Sequence, residues 1–400
     1  MNRLAYVGPA ILVLYAAVRS LEVIAQAYLM DPHYFWLGAR ILAQGGDPYD
    51  AATWDAAVRA SFAEFGVALP PPWPASFRYP LWTAVAALPL AALPLRAATA
   101  VWQLLLISAT VAGAKLALRA AGGPTRTLPL FLTLVLASQP FLFTVIVGQF
   151  GGVLLFAIAA YAVAAGTRRQ IASGLALAVL ALKPHVTVFL VPLALADMAG
   201  QRRWRALAAA AGAVAVLVAA SLALRPTWPF AWIAEITKAG AAQPNGANLT
   251  GVLTTFGIER VWSLAAFALV IAAAAALLAM SPREPIDIVA VGSCASLLIT
   301  PYSGSHDHML LASAWARTLA VGLRSPPVPA AVLLGSLVLA ASLMPWALYA
   351  FALRTRPDEA LNGFVPLAAL AVLGLAYSIE RRQSGRSAPT VMVQKGPPGG

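Results

Sequence analysis

Thirteen apolar stretches follow one another along this chain, at about residues 4–28, 79–95, 98–118, 127–147, 151–166, 171–182, 185–200, 205–223, 262–280, 287–300, 308–323, 328–350 and 361–379. Inside a bilayer there is no water to satisfy backbone amides, so runs of this length must close their hydrogen bonds within themselves as helices. Hydrophobic residues make up 60% of the 400-residue sequence, enough for about twelve spans of ~20 residues each. Charged residues make up 10%, less than half of the roughly 25% with which a soluble domain covers its surface. A soluble enzyme, a disordered protein and a secreted disulfide scaffold are excluded. The fold expected is an all-α integral membrane protein, a polytopic bundle of about twelve transmembrane helices.

The formal charge of +12 fits retention of Lys and Arg on cytoplasmic loops and their attraction to the bilayer's anionic headgroups. Arg168 and Arg169, the Arg202–Arg203–Arg205 cluster, Arg283, Arg324 and the late group Arg381, Arg382 and Arg386 mark inner loops. Residues 29–78, 183–185, 225–260, 301–307 and 354–359 then fall on the outer side. The 4–28 stretch is too long for a signal-peptide core and no small-residue cleavage site follows it, which reads as a retained anchor with its N-terminus inside. Thirteen crossings conflict with two inner termini. The 127–147 stretch, broken at Ser138-Gln139-Pro140, is the one expected not to cross fully. One membrane domain over residues 1–383 and a disordered cytoplasmic tail over 384–400 complete the expected organisation. No Lys/Arg array with interleaved aromatics points to nucleic acid. The single cysteine, Cys294, can form neither an intrachain disulfide nor a Cys-based metal site.

Residues 29–78 form a polar segment far longer than a usual connection. It carries five of the fifteen acids: Asp31, Asp47, Asp50, Asp55 and Glu64. Ala51 to Phe65 fits a short surface helix, and Pro70, Pro71, Pro72 and Pro74 impose an extended return. Asp31 directly follows the first span; a carboxylate at a membrane interface is partly desolvated and more basic, although Asp before Pro is also a helix-start signal. Gly45-Gly46-Asp47-Pro48-Tyr49-Asp50 reads locally as a turn.

All four histidines, His33, His185, His306 and His308, fall at outer ends of spans beside other polar residues. Lys183, before Pro184, sits between apolar runs, where a Lys either snorkels or serves a site. Its functional use would be to hold a phosphate as a point charge. Arg78 enters the second apolar stretch from outside beside Tyr79, as an interface anchor or a phosphate ligand. Pro301 to His308 breaks the helix and gathers polar groups, but His-x-His without further ligands is a weak metal signal. Gln149, in Gly148-Gln149-Phe150-Gly151, either binds a sugar hydroxyl or bridges helices.

In chain order, Asp31 with Trp36, Gly38 and Ala39; Gly45 to Asp50; Phe77-Arg78-Tyr79-Pro80-Leu81 with Pro89-Leu90, Leu93-Pro94 and Trp102; Gly148-Gln149; Gly174 with Lys183-Pro184; and Pro301-Tyr302 with Asp307 form a recurring series. Over roughly residues 5–325 this series resembles the integral-membrane glycosyltransferases of family 87, polyprenol-phosphate-mannose-dependent enzymes of the GT-C fold. Two departures stand out: Leu81 where the family usually has a second Pro, and Gly151 where it often has Asn.

The resemblance implies a GT-C bundle in the cell inner membrane, with a long first periplasmic loop and the active site facing the periplasm. It implies transfer of mannose from a polyprenyl-phosphate donor to a hydroxyl of a lipid or glycan acceptor, with Asp31 as general base. Lys183, Arg78, His306 and His308 would bind the donor phosphate, and Asp47, Tyr49, Tyr79, Gln149, His185 and Asp307 the substrates. A phosphate monoester leaves without protonation, so the chemistry asks for no metal or other cofactor. The rival reading is a transporter or lipid flippase for an anionic or sugar-linked substrate, with Lys183, Arg78 and Asp307 lining its path.

Overall fold

A computed structural model of the chain describes residues 3–67, 76–242, 246–259, 261–355 and 358–386. Among these residues every regular element is helical. The helices are α1 (Val7–Ala25), α2 (Asp31–Ala43), α3 (Ala51–Glu64), α4 (Leu81–Ala91), α5 (Leu95–Ala120), α6 (Leu128–Leu136), α7 (Gln139–Val147), α8 (Gly151–Gly166), α9 (Gln170–Ala178) and α10 (Leu190–Gly200). They continue with α11 (Trp204–Leu224), α12 (Trp228–Ala242), α13 (Leu249–Thr255), α14 (Trp262–Met280), α15 (Pro285–Ile299), α16 (Ala312–Arg324), α17 (Pro327–Val338), α18 (Met344–Thr355) and α19 (Phe364–Arg386).

Six of the described helical segments are long and apolar enough to cross a bilayer: Leu4–Ala25, Leu95–Ala120, Trp204–Leu224, Trp262–Met280, Pro327–Thr355 and Ala360–Ser384. A seventh is a pair, Thr125–Leu136 and Gln139–Val147, bent by 60°. The expected count of about twelve is therefore not met by helix length. Several helices stop short of the apolar stretches that predict them. Lys183 separates two 3-10 turns, Val179–Leu182 and Pro184–Thr187, which shortens the helices on either side. Residues 305–311 form another 3-10 turn and leave α16 only 13 residues long.

Burial sorts these helices. The side chains of α15 from Ile286 to Leu298 and of α16 from Ala312 to Gly322 are buried on every side. By contrast α11 and α14, apolar all round, bury three residues each and turn the rest outward, as lipid-facing spans do. A buried ion cluster pins α15, α16 and α19 together. Arg317 donates to Asp287 and to Glu380, each at 2.7 Å, and the Tyr377 hydroxyl donates to Asp287 at 2.8 Å.

The described part of the 29–78 segment is mostly helical. Within it α3 begins where expected, with Asp50 accepting from the Thr53 amide at 2.8 Å as its N-cap. The proline run from Pro70 to Pro74 lies outside the described residues. At the other end α19 continues to Arg386, three residues into the expected tail, whose remainder, 387–400, also lies outside them.

The chain's path corrects the expectation about 127–147. Helix α5, about 39 Å long at 1.5 Å per residue, starts with Arg96 over the Phe65 ring at 5.3 Å and ends where Arg324 donates to the Ala121 and Gly122 carbonyls. The α6–α7 pair then runs back from that far end to Gln149, which bonds Asp31. Helix α4 instead begins and ends at the Asp31 end. Its Trp82 indole donates to Ala181 at 2.8 Å, and the Leu93 carbonyl just beyond it accepts from Trp36. Eleven residues cover about 16 Å, half a hydrocarbon core. The stretch that turns back is 79–95, not 127–147.

Because Cys294 is buried, introduced cysteines report this path directly. A membrane-impermeant maleimide should label Ala92→Cys from the same side as Ala51→Cys, and Thr125→Cys only from the other. Labelling of all three from one side would overturn the path.

Candidate functional site

The site is assembled from four breaks in helices. At the first, Met30 is extended (φ −107°, ψ 158°) and Asp31 opens α2 with Pro32 behind it. The Asp31 carboxylate does not cap its own helix: Oδ2 accepts from Gln149 Nε2, and Oδ1 has no hydrogen bond among the described residues. At the second break Gly148 closes α7 in the left-handed conformation (φ 77°) and packs on Pro32, a position that admits no Cβ. Its carbonyl accepts from Trp102 at 2.7 Å, which fixes the backbone from which Gln149 extends.

The third break carries Lys183, 2% exposed. Its ammonium donates to Asp307 Oδ1 at 2.6 Å, to Gln149 Oε1 at 3.2 Å and to His306 Nε2 at 3.2 Å. An ammonium has three hydrogens and no acceptor, so this one is fully used. Its neighbours are constrained in turn. Gln149 must point its carbonyl at Lys183 and its NH2 at Asp31 and at the Tyr79 hydroxyl, 3.0 Å away. His306 must accept through Nε2, which puts its proton on Nδ1, a buried atom without a partner among the described residues.

The fourth break is the 304–308 turn. Asp307 Oδ2 accepts from the Gly304 amide at 3.1 Å, and Thr144 donates to the His306 carbonyl at 3.0 Å.

Charge follows geometry. Burial raises the Asp31 carboxyl to about 6; the Gln149 hydrogen bond and the Lys183 charge pull against that rise, and Asp307 adds to it. Burial also works against an ionised Asp307, but the Lys183 ammonium outweighs it and holds that carboxyl at about 2. The cluster thus pairs a firmly ionised Asp307 with a more basic Asp31.

The structure thus brings Asp31, Tyr79, Gln149, Lys183, His306 and Asp307 into one bonded network. Arg78 and His185 flank it. Arg78 is half-buried, its guanidinium without a hydrogen bond among the described residues, and its charge acts on Tyr302. The His185 ring lies 6.5 Å from the Tyr302 ring, and its Nε2 has no partner among the described residues. Four residues singled out from the sequence stand apart. His308 faces away and bonds the Ala247 carbonyl at 3.1 Å. Asp47 closes a local turn on the Tyr49 amide, and Tyr49 supports the Tyr79 carbonyl at 2.6 Å. His33 bonds Ser61 and the Tyr28 carbonyl.

Beyond the expected set, Tyr302 borders the site and Glu359 braces the 304–308 turn from outside it. Tyr302, 37% exposed, lies within the fields of Asp307, Glu359, Asp31 and Arg78. Glu359 accepts from the Ser305 amide at 2.5 Å. Its sequence signal is slight: an acid in an outer loop before the last span. Among the described residues no group of three or more His, Cys, Asp or Glu side chains is arranged to hold a metal ion.

The family model for glycosyltransferase family 87 matches residues 77–301, more than half of the chain. That range contains Arg78, Tyr79, Gln149, Lys183 and His185, while Asp31 and the 304–308 turn lie outside it. No curated protein matches the chain.

Removing either member of the Lys183–Asp307 pair leaves a buried charge uncompensated, at a cost of about 3–5 kcal/mol. Lys183→Ala and Asp307→Ala should therefore each lower the thermal midpoint in detergent more than the double variant does. Additive losses would show that the pair is not coupled.

Proposed function

The chain belongs to glycosyltransferase family 87, and from that premise we propose that this membrane glycosyltransferase moves mannose from a polyprenyl-phosphate donor to a hydroxyl of a lipid or glycan acceptor. The work would take place at the periplasmic face of the cell inner membrane, where a lipid-borne sugar supplies what a nucleotide sugar cannot. The reading rests on one observation above others: a half-buried carboxylate with a raised pKa, one oxygen held by Gln149 and the other without a protein partner.

Asp31 is the general base. It takes the acceptor's hydroxyl proton as the acceptor oxygen bonds to the anomeric carbon and the carbon–oxygen bond to phosphate breaks. The pair of electrons leaves with the polyprenyl phosphate. Attack from the face opposite the leaving group inverts the anomeric centre. A base near pKa 6 is mostly ionised at neutral pH yet stronger than an ordinary aspartate.

The phosphate role moves from Lys183 to its surroundings. With three donors engaged and 2% exposure, Lys183 has no hydrogen to offer a ligand unless the cluster breaks. Around the cluster, His185 Nε2 and the buried His306 Nδ1–H have no hydrogen-bond partner among the described residues, and with the Arg78 guanidinium they take the phosphate and the sugar hydroxyls. Lys183 instead orients Gln149 and holds down the pKa of Asp31. All these groups sit at helix breaks at one end of the bundle, which favours transfer there over passage along a transport path.

Membranes carrying the wild type should incorporate radiolabelled mannose from its polyprenyl-phosphate donor into lipid, and Asp31→Asn should lose about 10²–10⁴-fold in rate. An Asp31→Asn variant as fast as wild type would refute the base assignment. The wild-type rate should fall as pH drops through about 6, where Asp31 takes up its proton. Lys183→Met removes a charge that favours the ionised carboxylate, so its acid limb should lie at higher pH than that of wild type. An acid limb unmoved in Lys183→Met would remove Lys183 from the mechanism.

A further inference from the structure

The turn that presents Asp307 and His306 to Lys183 is tied at several points, and one tie comes from the far end of the sequence. The Ser305 amide donates to Glu359 Oε2 at 2.5 Å, and the Ser305 hydroxyl bonds the same carboxylate. Gln139 Nε2 donates to that hydroxyl's oxygen at 2.9 Å. Ser305 is fully buried, so its amide has no water to fall back on. Glu359 itself is fixed, since its carbonyl accepts the Asn362 amide at 2.9 Å at the start of the last helical segment.

From Glu359 a continuous chain of contacts leads to the base. It runs through Ser305 to the adjoining His306 and Asp307, from both to Lys183, from Lys183 to Gln149 Oε1, and from Gln149 Nε2 to Asp31 Oδ2. Each link leaves the next little freedom, because Lys183 can only donate and Gln149 can face it only with its carbonyl.

We infer that Glu359 is a positioning residue of the transfer reaction, a latch that holds the 304–308 turn in the register at which Lys183 aligns Gln149 and Asp31. The inference rests on the glycosyltransferase reading for its effect on rate. The latch works by reach and by accepting hydrogen bonds, and its negative charge is incidental. Those two properties can be separated. Glutamine keeps the length and a carbonyl acceptor but loses the charge; aspartate keeps the charge but falls one methylene short of Ser305.

The test has two readouts on the full-length protein in detergent or nanodiscs. Hydrogen–deuterium exchange of a peptide covering residues 301–311 reads the latch without reference to activity. Exchange should rise in Glu359→Asp and Glu359→Ala and stay at the wild-type level in Glu359→Gln. Mannose transfer from the polyprenyl-phosphate donor reads the consequence. A displacement of about 1 Å in a catalytic array costs on the order of 100-fold, so kcat should fall by about that factor in Glu359→Asp, while KM for the donor and the thermal midpoint change little. Glu359→Gln should retain wild-type kcat.

If Glu359→Asp is active and Glu359→Gln is not, charge matters and the latch is overturned. It is equally overturned if exchange rises in Glu359→Asp while kcat holds, or if exchange is the same in all variants. Glu359→Asp and Glu359→Gln decide the matter even if Glu359→Ala does not fold. A wild type that transfers no mannose would count against the glycosyltransferase reading, and the exchange data would still judge the latch.

Discussion

A buried ammonium organises this protein's polar end. Lys183 is a pure donor in a place with almost no water, so each of its three hydrogens must find an acceptor within the fold. Asp307, Gln149 and His306 provide them, and each is thereby committed: one to ionisation, one to a single orientation of its amide, one to a single tautomer. Burying an ion pair gains little stability over apolar packing, but breaking one is costly. The arrangement therefore resists variation more than it strengthens the bundle. Its product is a fixed direction for the Gln149 NH2, and so a fixed place for Asp31.

Much of the site was legible residue by residue. Asp31, Lys183 and the 301–308 segment declared themselves because polar residues beside apolar runs are expensive, and Gln149 and Tyr79 came with the family's pattern. What single residues did for one another was not legible. A charge in a sequence does not disclose how many of its donors are already engaged, and so Lys183 read as a phosphate ligand. His306 and His308 looked alike for a related reason. In a 3-10 turn successive side chains diverge by about 120°, so residues two apart face different ways, and only His306 meets Lys183.

The number of crossings is not confirmed by helix length, for a different reason. Hydropathy records whether a stretch tolerates hydrocarbon, not whether it traverses it. Residues 81–91 are apolar and helical, yet the Leu93 carbonyl returns to Trp36 at the end from which the helix set out. The 127–147 stretch shows the converse: its break at Ser138 bends the path by 60°, yet the chain goes on from the Arg324 end to Gln149 at the Asp31 end. Arg317 is a further case, a charge within an apolar stretch whose partners, Asp287 and Glu380, lie 30 residues before it and 63 after. Helix α16 is thus held by ion pairs just before its start and near its middle, which sets both its rotation and its depth.

The four breaks that carry Asp31, Gln149, Lys183 and Asp307 each belong to a different pair of helices. No one helix owns the site. The affinity of Asp31 for a proton depends on a side chain delivered by α7, which is oriented by one from the α9–α10 break, which is anchored by one that precedes α16. Sliding any of these pairs against the others alters that affinity. The acidity of one carboxyl group is in this sense a gauge of how four pairs of helices are packed against one another.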